Sequence, residues 1–175
     1  GYAGAFGLTG TVTAYANENI VTFSGASVIG SDLYYDSCLY GGESYAYAGT
    51  DGVGVGVANS YANANRVTVT EDSSVGQYVY GGYAGAFGLT GTATANGNTV
   101  TVTGDFFVGY DVYGGYSDAD AYATANAYAN ENVVTVSGGS IVDDDVYGGY
   151  SAAAAYAEGD GDATANAYAN NNEVV

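Results

Sequence analysis

Carboxylates are the side chains of this sequence with the clearest capacity for chemistry, and several of them are grouped. Asp143, Asp144 and Asp145 are consecutive, and Asp160 and Asp162 flank a single glycine. Carboxylates on short glycine-containing loops are oxygen ligands of the kind that Ca²⁺ prefers. We therefore expect these five residues as candidate calcium ligands, while the rest of the sequence requires no cofactor.

The neighbouring repeats weigh against a dedicated metal site. Asp143 and Asp144 occupy the places taken by Gly109 and Tyr110 one repeat earlier, so the acids do not recur as a column. Neither an EF-hand loop nor the nonapeptide calcium repeat is present. Solvated turns are the simpler interpretation of the acidic clusters.

Most other reaction and binding chemistries lack their usual residues. The chain has 19 Asp plus Glu, a single basic residue (Arg66) and no His, so its net charge is −18. Imidazole and amine bases are missing, and a glycosidase pair cannot be picked from scattered carboxylates. We expect a protein that is not an enzyme. The charge also excludes nucleic acid and anionic membranes as partners, because both are bound through Lys and Arg.

Two further features narrow the class of protein. No run of about 18 apolar residues exists, so no helix is expected to span a bilayer. Cys38 is the single cysteine and cannot form a disulfide within the chain. We expect it as a small, buried apolar side chain.

The elements that must hold these side chains repeat along the chain. Tyr-Gly-Gly begins at Tyr40, Tyr80, Tyr113 and Tyr147, and residues 1–11 recur letter for letter at 82–92. Self-similarity at periods of about 20–50 residues is typical of stacked repeat architectures. We expect one array over residues 1–175, a segment of a longer chain, with units of approximately 1–40, 41–80, 81–113, 114–147 and 148–175.

Both halves of each unit favour strands over helices. One half alternates Thr and Val, as at residues 99–103, which is a pattern of β-branched strands. The other half places Ala at every second position from Ala119 to Ala129, and this alternation would scatter alanine around a helix. We therefore expect an all-β fold with no helix. We expect a corner at the glycine pair of each Tyr-Gly-Gly, where either φ > 0 or tight backbone approach is needed.

Matching residues in successive units predict a parallel β-solenoid, or cross-β stack, of about five units. If each unit is one turn, neighbouring turns lie about 4.8 Å apart; two turns of about 17 residues per unit are the alternative. The inward side chains are expected to include Val21, Val67, Val100 and Val134. The extra residues of the longer units, near 26–38, 43–57 and 151–162, are expected as loops at one corner.

Stacking in register predicts two ladders of side chains that compensate for a thin core. The amide ladder is expected to contain Asn19, Asn65, Asn98, Asn132 and Asn172. The aromatic ladder is expected to contain Tyr40, Tyr80, Tyr113 and Tyr147.

The repeats resemble those of a known class of surface protein. Val-Tyr-Gly-Gly-Tyr at 146–150 and the Asn-x-Val-Thr-Val-Ser-Gly-Gly type of segment at 132–139 are similar to passenger repeats of bacterial autotransporter-like surface proteins. The resemblance covers essentially the whole chain. It implies a β-helical stalk or adhesin that is extracellular or on the bacterial cell surface.

The expected function is therefore structural or adhesive, as a rigid stalk or fibre component. The partners are other copies or further repeats, with glycans or a host surface as possible ligands. The first alternative is a secreted amyloid-like filament whose subunits stack through uncapped ends. The second is a carbohydrate- or ice-binding solenoid, based on outward tyrosines such as Tyr122 and Tyr128 and on the Thr columns.

Overall fold

The computed structural model describes residues 1–25, 28–29, 37–50, 53–54, 56–70, 73–157 and 162–175. These residues form five turns of chain. The first turn contains β1 (Tyr2–Gly7), β2 (Thr11–Tyr15), β3 (Ile20–Phe23) and β4 (Val28–Ile29). The second contains β5 (Leu39–Thr50), β6 (Val53–Gly54), β7 (Val57–Tyr61), β8 (Arg66–Thr70) and β9 (Ser74–Val75).

The later turns have the same order of strands. The third contains β10 (Val79–Thr94), β11 (Thr99–Thr103) and β12 (Phe107–Val108). The fourth contains β13 (Val112–Tyr128), β14 (Val133–Ser137) and β15 (Ile141–Val142). The fifth contains β16 (Val146–Ala155), β17 (Thr164–Tyr168) and β18 (Glu173–Val174).

Equivalent strands of successive turns pair in parallel and form three sheets of nine, five and four strands. Tyr80 pairs with Tyr40 on one side and with Tyr113 on the other, and Tyr113 pairs with Tyr147. Each repeat unit is therefore one turn, and the alternative of two turns per unit is wrong. The predicted all-β parallel fold is confirmed: the described segments contain no helix, and every pairing between turns is parallel. One antiparallel pairing, of β5 with β6, lies within the second turn.

The long strands double back on themselves and form a thin two-layered part of the molecule. Ser60 Oγ donates to Ser44 O and Ser44 Oγ at 2.7 and 2.9 Å, although sixteen residues of straight strand would separate them by about 53 Å. Alanines from both halves form the core between the layers, as predicted from their alternation. We call this part the arm; its strand segments are 2–7, 11–15, 43–50, 57–61, 83–94, 116–128, 150–155 and 164–168.

The remaining strands enclose a second core, and we call this part the body. Val67, Val100 and Val134 are fully buried there, and Val21 of the first turn packs partly buried against them. The alternation of Thr and Val in β8, β11 and β14 directs valine inward and leaves threonine half-buried on the outer face. The fully buried ring of Phe106 adds a larger side chain to this core, which otherwise consists mainly of valine.

The glycine pairs join the arm to the body, and they do not form corners. Gly81 and Gly82 lie inside β10, and the glycines of positive φ are others, such as Gly97 and Gly104. The prediction of a corner with φ > 0 was therefore wrong, whereas the tight backbone approach expected at these glycines is present. A Cβ at Gly82 would collide with the Ala62 carbonyl and would lie 2.7 Å from the Asn98 side-chain amide.

The expected loops are also partly wrong. Residues 43–50 belong to β5 and residues 151–155 belong to β16. Both segments continue the Ala-lined face of the arm, so their small inward side chains let β5 pair with β1 and β10, and β16 pair with β13. Of the predicted loop near 26–38, residues 28–29 form β4, and residues 26, 27 and 30–36 lie outside the described residues.

Candidate functional site

The predicted tyrosines form a stacked column on the outer surface of the turns. Ring centroids of Tyr40, Tyr80, Tyr113 and Tyr147 are 4.9, 5.1 and 5.0 Å apart, with interplanar angles of 9°, 6° and 5°. This spacing follows the separation of parallel strands, so each ring covers the next. Burial then raises the phenol pKa of Tyr80 and Tyr113 far above its ordinary value.

A second tyrosine column stands at right angles to the first. Tyr83, Tyr116 and Tyr150 stack with centroids 5.0 Å apart, and Tyr116 lies edge-on to Tyr113 at 90°. Edge-to-face contacts place the positive ring edge on the negative ring face. The second tyrosine of Tyr-Gly-Gly-Tyr is visible in the sequence. The right angle between the two columns is not, because it depends on the direction of the backbone between the two tyrosines.

The structure brings the five predicted asparagines together at the junction of arm and body. In each turn the amide N–H and side-chain Nδ2 donate to Oδ1 of the equivalent residue in the next turn. The distances are 2.9 to 3.1 Å along the whole series Asn19, Asn65, Asn98, Asn132 and Asn172.

The first asparagines of the Asn-x-Asn elements form another ladder, which runs in the opposite direction. The amide N–H of Asn63 donates to Asn17 Oδ1, and that of Asn96 donates to Asn63 Oδ1, each at 2.8 Å. Asn130 and Asn170 continue this series at 2.7 and 2.8 Å. Sequence reasoning missed it, although the first asparagine recurs as regularly as the second.

An acidic group lies at the corner that precedes Tyr-Gly-Gly. Carboxylate oxygens of Asp111, Asp144 and Asp145 lie within 4.8 Å of one another. Asp111 accepts hydrogen bonds from Tyr113 Oη and from the Asp145 amide, each 2.8 Å, and Asp145 accepts one from Tyr147 Oη at 2.9 Å. Two of the carboxylates thus orient the tyrosine column, and the three offer a partial oxygen set for a cation that takes six to eight such ligands.

The remaining predicted metal ligands do not join this group. Asp143 is exposed and contributes no ligand atom to it, and Asp162 is exposed on a different part of the chain. Asp160 lies outside the described residues. Asp111 was missed, although its position in Asp-Val-Tyr matches that of Asp145 one unit later.

Two other predicted features have defined places. Thr68, Thr101 and Thr135 pair in register across the five-stranded sheet and form one column of hydroxyls on the outside of the body. Cys38 is half-buried, whereas full burial was expected, and its thiol donates to Gln77 Oε1 at 3.6 Å.

Comparison with known proteins adds no relative to these observations. No protein-family model matches the sequence, and no curated protein or solved structure shows significant similarity to it. The described residues contain no helix long and apolar enough to cross a membrane.

Proposed function

We propose that this chain is an extracellular or cell-surface structural protein, a section of a rigid β-solenoid stalk or fibre with adhesive surfaces. The observation that supports this most directly is the continuity of the asparagine ladder through all five turns and of the tyrosine ladder through the last four. Each turn is held to the next by backbone pairing, by amide bonds and by stacked rings, so an axial load is shared among many contacts.

The outer surfaces favour contact over catalysis. They repeat tyrosine, threonine and asparagine side chains at a fixed spacing, and repeated weak contacts add up through multivalency. Glycans or a host surface are ligands that such a surface suits, since tyrosine offers an apolar face with a polar tip. The absence of His and Lys from the sequence supports a role other than that of an enzyme.

Surface location is the part of this proposal that one experiment tests directly. Antibodies raised against residues 1–175 are expected to label intact, unpermeabilised cells that produce the protein. Labelling that appears only after permeabilisation would contradict the proposal. A cytoplasmic marker protein provides the control for cell integrity.

The second candidate is a filament in which separate copies stack head to tail, and the opposed amide ladders favour it. At a junction between the fifth turn of one copy and the first of another, Asn172 N–H and Nδ2 face Asn19 Oδ1. The Asn17 N–H likewise faces Asn170 Oδ1, so donors meet acceptors in both ladders. Exposed Tyr168 and Tyr15 meet as the next pair of a stacked column.

Electron microscopy of residues 1–175 with two matched variants tests the filament. Asn170→Ala removes an acceptor at the junction but keeps the internal bond from its own N–H to Asn130, so we expect the critical concentration to rise about fivefold. Asn17→Ala removes an internal acceptor and keeps the junction N–H, so a much smaller change is expected. Equal effects of both variants, or no filaments at any concentration, would reject this candidate.

A further inference from the structure

The outer face of the arm contains a recess that neither ladder uses. Residues Gly4, Tyr45, Gly85, Asp118 and Ala152 form one column across the five turns, according to the register of their strands. Gly85 in this column lacks a side chain, whereas Tyr45 above it and Asp118 below it project outward. The Tyr45 ring lies over Gly85, and a recess of about 190 Å³ lies beside this ring.

Aromatic rings form the walls of this recess. Tyr83 and Phe87 flank Gly85 on the same strand face, and Tyr45 leans over the glycine from the previous turn. A Cβ at position 85 would lie 2.5 Å from Tyr45 Cε1, so glycine is what admits the ring. The Tyr45 hydroxyl donates to Tyr83 Oη at 2.9 Å, which fixes both rings in place.

The carboxylate of Asp118 also lines the recess, and it is the only charged group among the lining residues. Asp118 is half-buried, and desolvation together with nearby Asp120 raises the pKa of its carboxyl. Burial raises the pKa of Tyr45, Tyr83 and Tyr116, and the charge of Asp118 adds to this effect at each of them, as the charge of Glu43 does more strongly at Tyr45. A cation bound in the recess would pair with this carboxylate and so reduce the free-energy cost of burying its charge.

We propose that this recess binds a small organic cation, of the methylated ammonium class, against the ring of Tyr45 and the carboxylate of Asp118, with Tyr83 and Phe87 completing the apolar lining. Aromatic faces attract such cations through their quadrupole, and a quaternary ammonium needs no hydrogen-bond partner. A sugar needs several polar groups to hold its hydroxyls, and this lining has one carboxylate and three phenols, of which those of Tyr45 and Tyr83 are bonded to each other. A hard metal ion needs more oxygen ligands than one carboxylate supplies.

Titration of residues 1–175 with choline, followed by the NMR signals of the tyrosine and phenylalanine rings, tests the site. We expect saturable millimolar binding at about 0.15 M salt, where diffuse charge is screened. The neutral carbon isostere of choline, dimethylbutanol, is expected to bind at least about tenfold more weakly, because it lacks the charge that the rings and Asp118 attract.

Three variants locate the effect. Asp118→Asn keeps the shape and is expected to weaken choline binding about tenfold or more. Gly85→Ala is expected to weaken it by displacing the Tyr45 ring, which its Cβ would meet. Asp143→Asn removes one exposed charge from another surface and is expected to leave binding unchanged. Three results overturn the proposal: equal binding of the isostere, equal losses in Asp118→Asn and Asp143→Asn, or saturation by a hexose without any response to choline.

Discussion

The middle residue of each Asn-x-Asn element adopts a left-handed backbone, which is unusual because only one of the five is glycine. The φ angles are 60° at Glu18, 55° at Ala64, 63° at Gly97, 58° at Glu131 and 54° at Asn171. A side chain in this region costs about 1–2 kcal/mol relative to its ordinary conformations. The two amide ladders hold the flanking asparagines and so impose this conformation in every turn.

Ala64→Gly is therefore expected to stabilise the protein by about 1 kcal/mol, since glycine adopts φ > 0 without strain. Gly97→Ala, the reciprocal change one turn later, is expected to destabilise it by a similar amount. Urea unfolding followed by far-ultraviolet circular dichroism measures both changes. Shifts of the same sign in the two variants would contradict this explanation.

Asp118 makes stability depend on pH in a predictable direction. Burial raises its folded-state pKa, so the native state binds this proton more tightly than the unfolded chain does. The resulting contribution is present below the ordinary carboxyl pKa and is lost as the pH rises through the raised value. Asp118→Asn is expected to show a flatter stability profile over this interval and greater stability than the parent at pH about 7. A parallel profile in thermal unfolding would contradict the prediction.

At the scale of elements, the junction between arm and body depends on glycine and asparagine together. The second glycine of each pair packs against the asparagine of its own turn: Gly42 against Asn65, Gly82 against Asn98, and Gly115 against Asn132. The buried amides need close partners because water does not reach them. Glycine provides the room for the ladder, and the ladder supplies the hydrogen bonds.

Gly82→Ala is expected to cost several kcal/mol, about 2–4, because its Cβ meets the Ala62 carbonyl and the Asn98 amide, neither of which has room to move. Gly4→Ala provides the matched control on the outer face of the first turn. Its Cβ would lie 3.1 Å from the Tyr2 hydroxyl, the far end of an exposed side chain. Equal losses of stability in chemical unfolding would argue against a crowded junction.

Asn98→Ala is expected to cost about 3 kcal/mol, since it leaves the Asn65 N–H and Nδ2 without their acceptor in a buried site. Asn96→Ala removes one accepted bond at a half-exposed position two residues away and is expected to cost at most about 1 kcal/mol. Urea midpoints of the two variants give the comparison. A larger loss for Asn96→Ala would show that the buried ladder is not the stronger one.

The sequence carries part of this architecture in its periodicities. Alternation of Ala119 to Ala129 and of Thr with Val predicts strands and their inward faces, and matched spacing predicts the columns. The doubling back of β13 has no such signal, because alanine continues to alternate from Ala119 to Ala129 through the irregularity that lies opposite Gly88 and Thr90. The recess at Gly85 depends on which residues become neighbours across turns, and the pairing of Asp111 with Asp145 was visible only as a matched position.

At the scale of the whole molecule, the shape is a slab. Five turns at about 4.8 Å give a height of about 24 Å, and one layer of the arm, with about six to eight residues, extends about 20–26 Å outward from the body. The stalk that we propose therefore depends on further turns, from the same chain or from other copies. Five turns alone display columns of side chains but are too short along the stacking axis to form a stalk.

The charge of −18 with one basic residue opposes this compact shape. Stability is expected to rise as sodium chloride increases from about 10 mM to about 0.5 M and then to level off, because screening is complete once the Debye length is near 4 Å. Urea midpoints measured at each salt concentration test this. A midpoint that is constant over this range, or that rises only above it, would contradict repulsion between carboxylates as a significant cost.

The correspondence of one repeat with one turn has a consequence for how such a protein changes over generations. Gain or loss of a whole unit alters the height by one strand spacing and leaves the residue columns unbroken, since the register restarts at every Tyr-Gly-Gly. The identity of residues 1–11 with 82–92 is the mark that duplication of DNA leaves. The length of such a protein is therefore set by the number of repeat units in its gene. Recombination can change that number by whole units, and no new contact has to evolve.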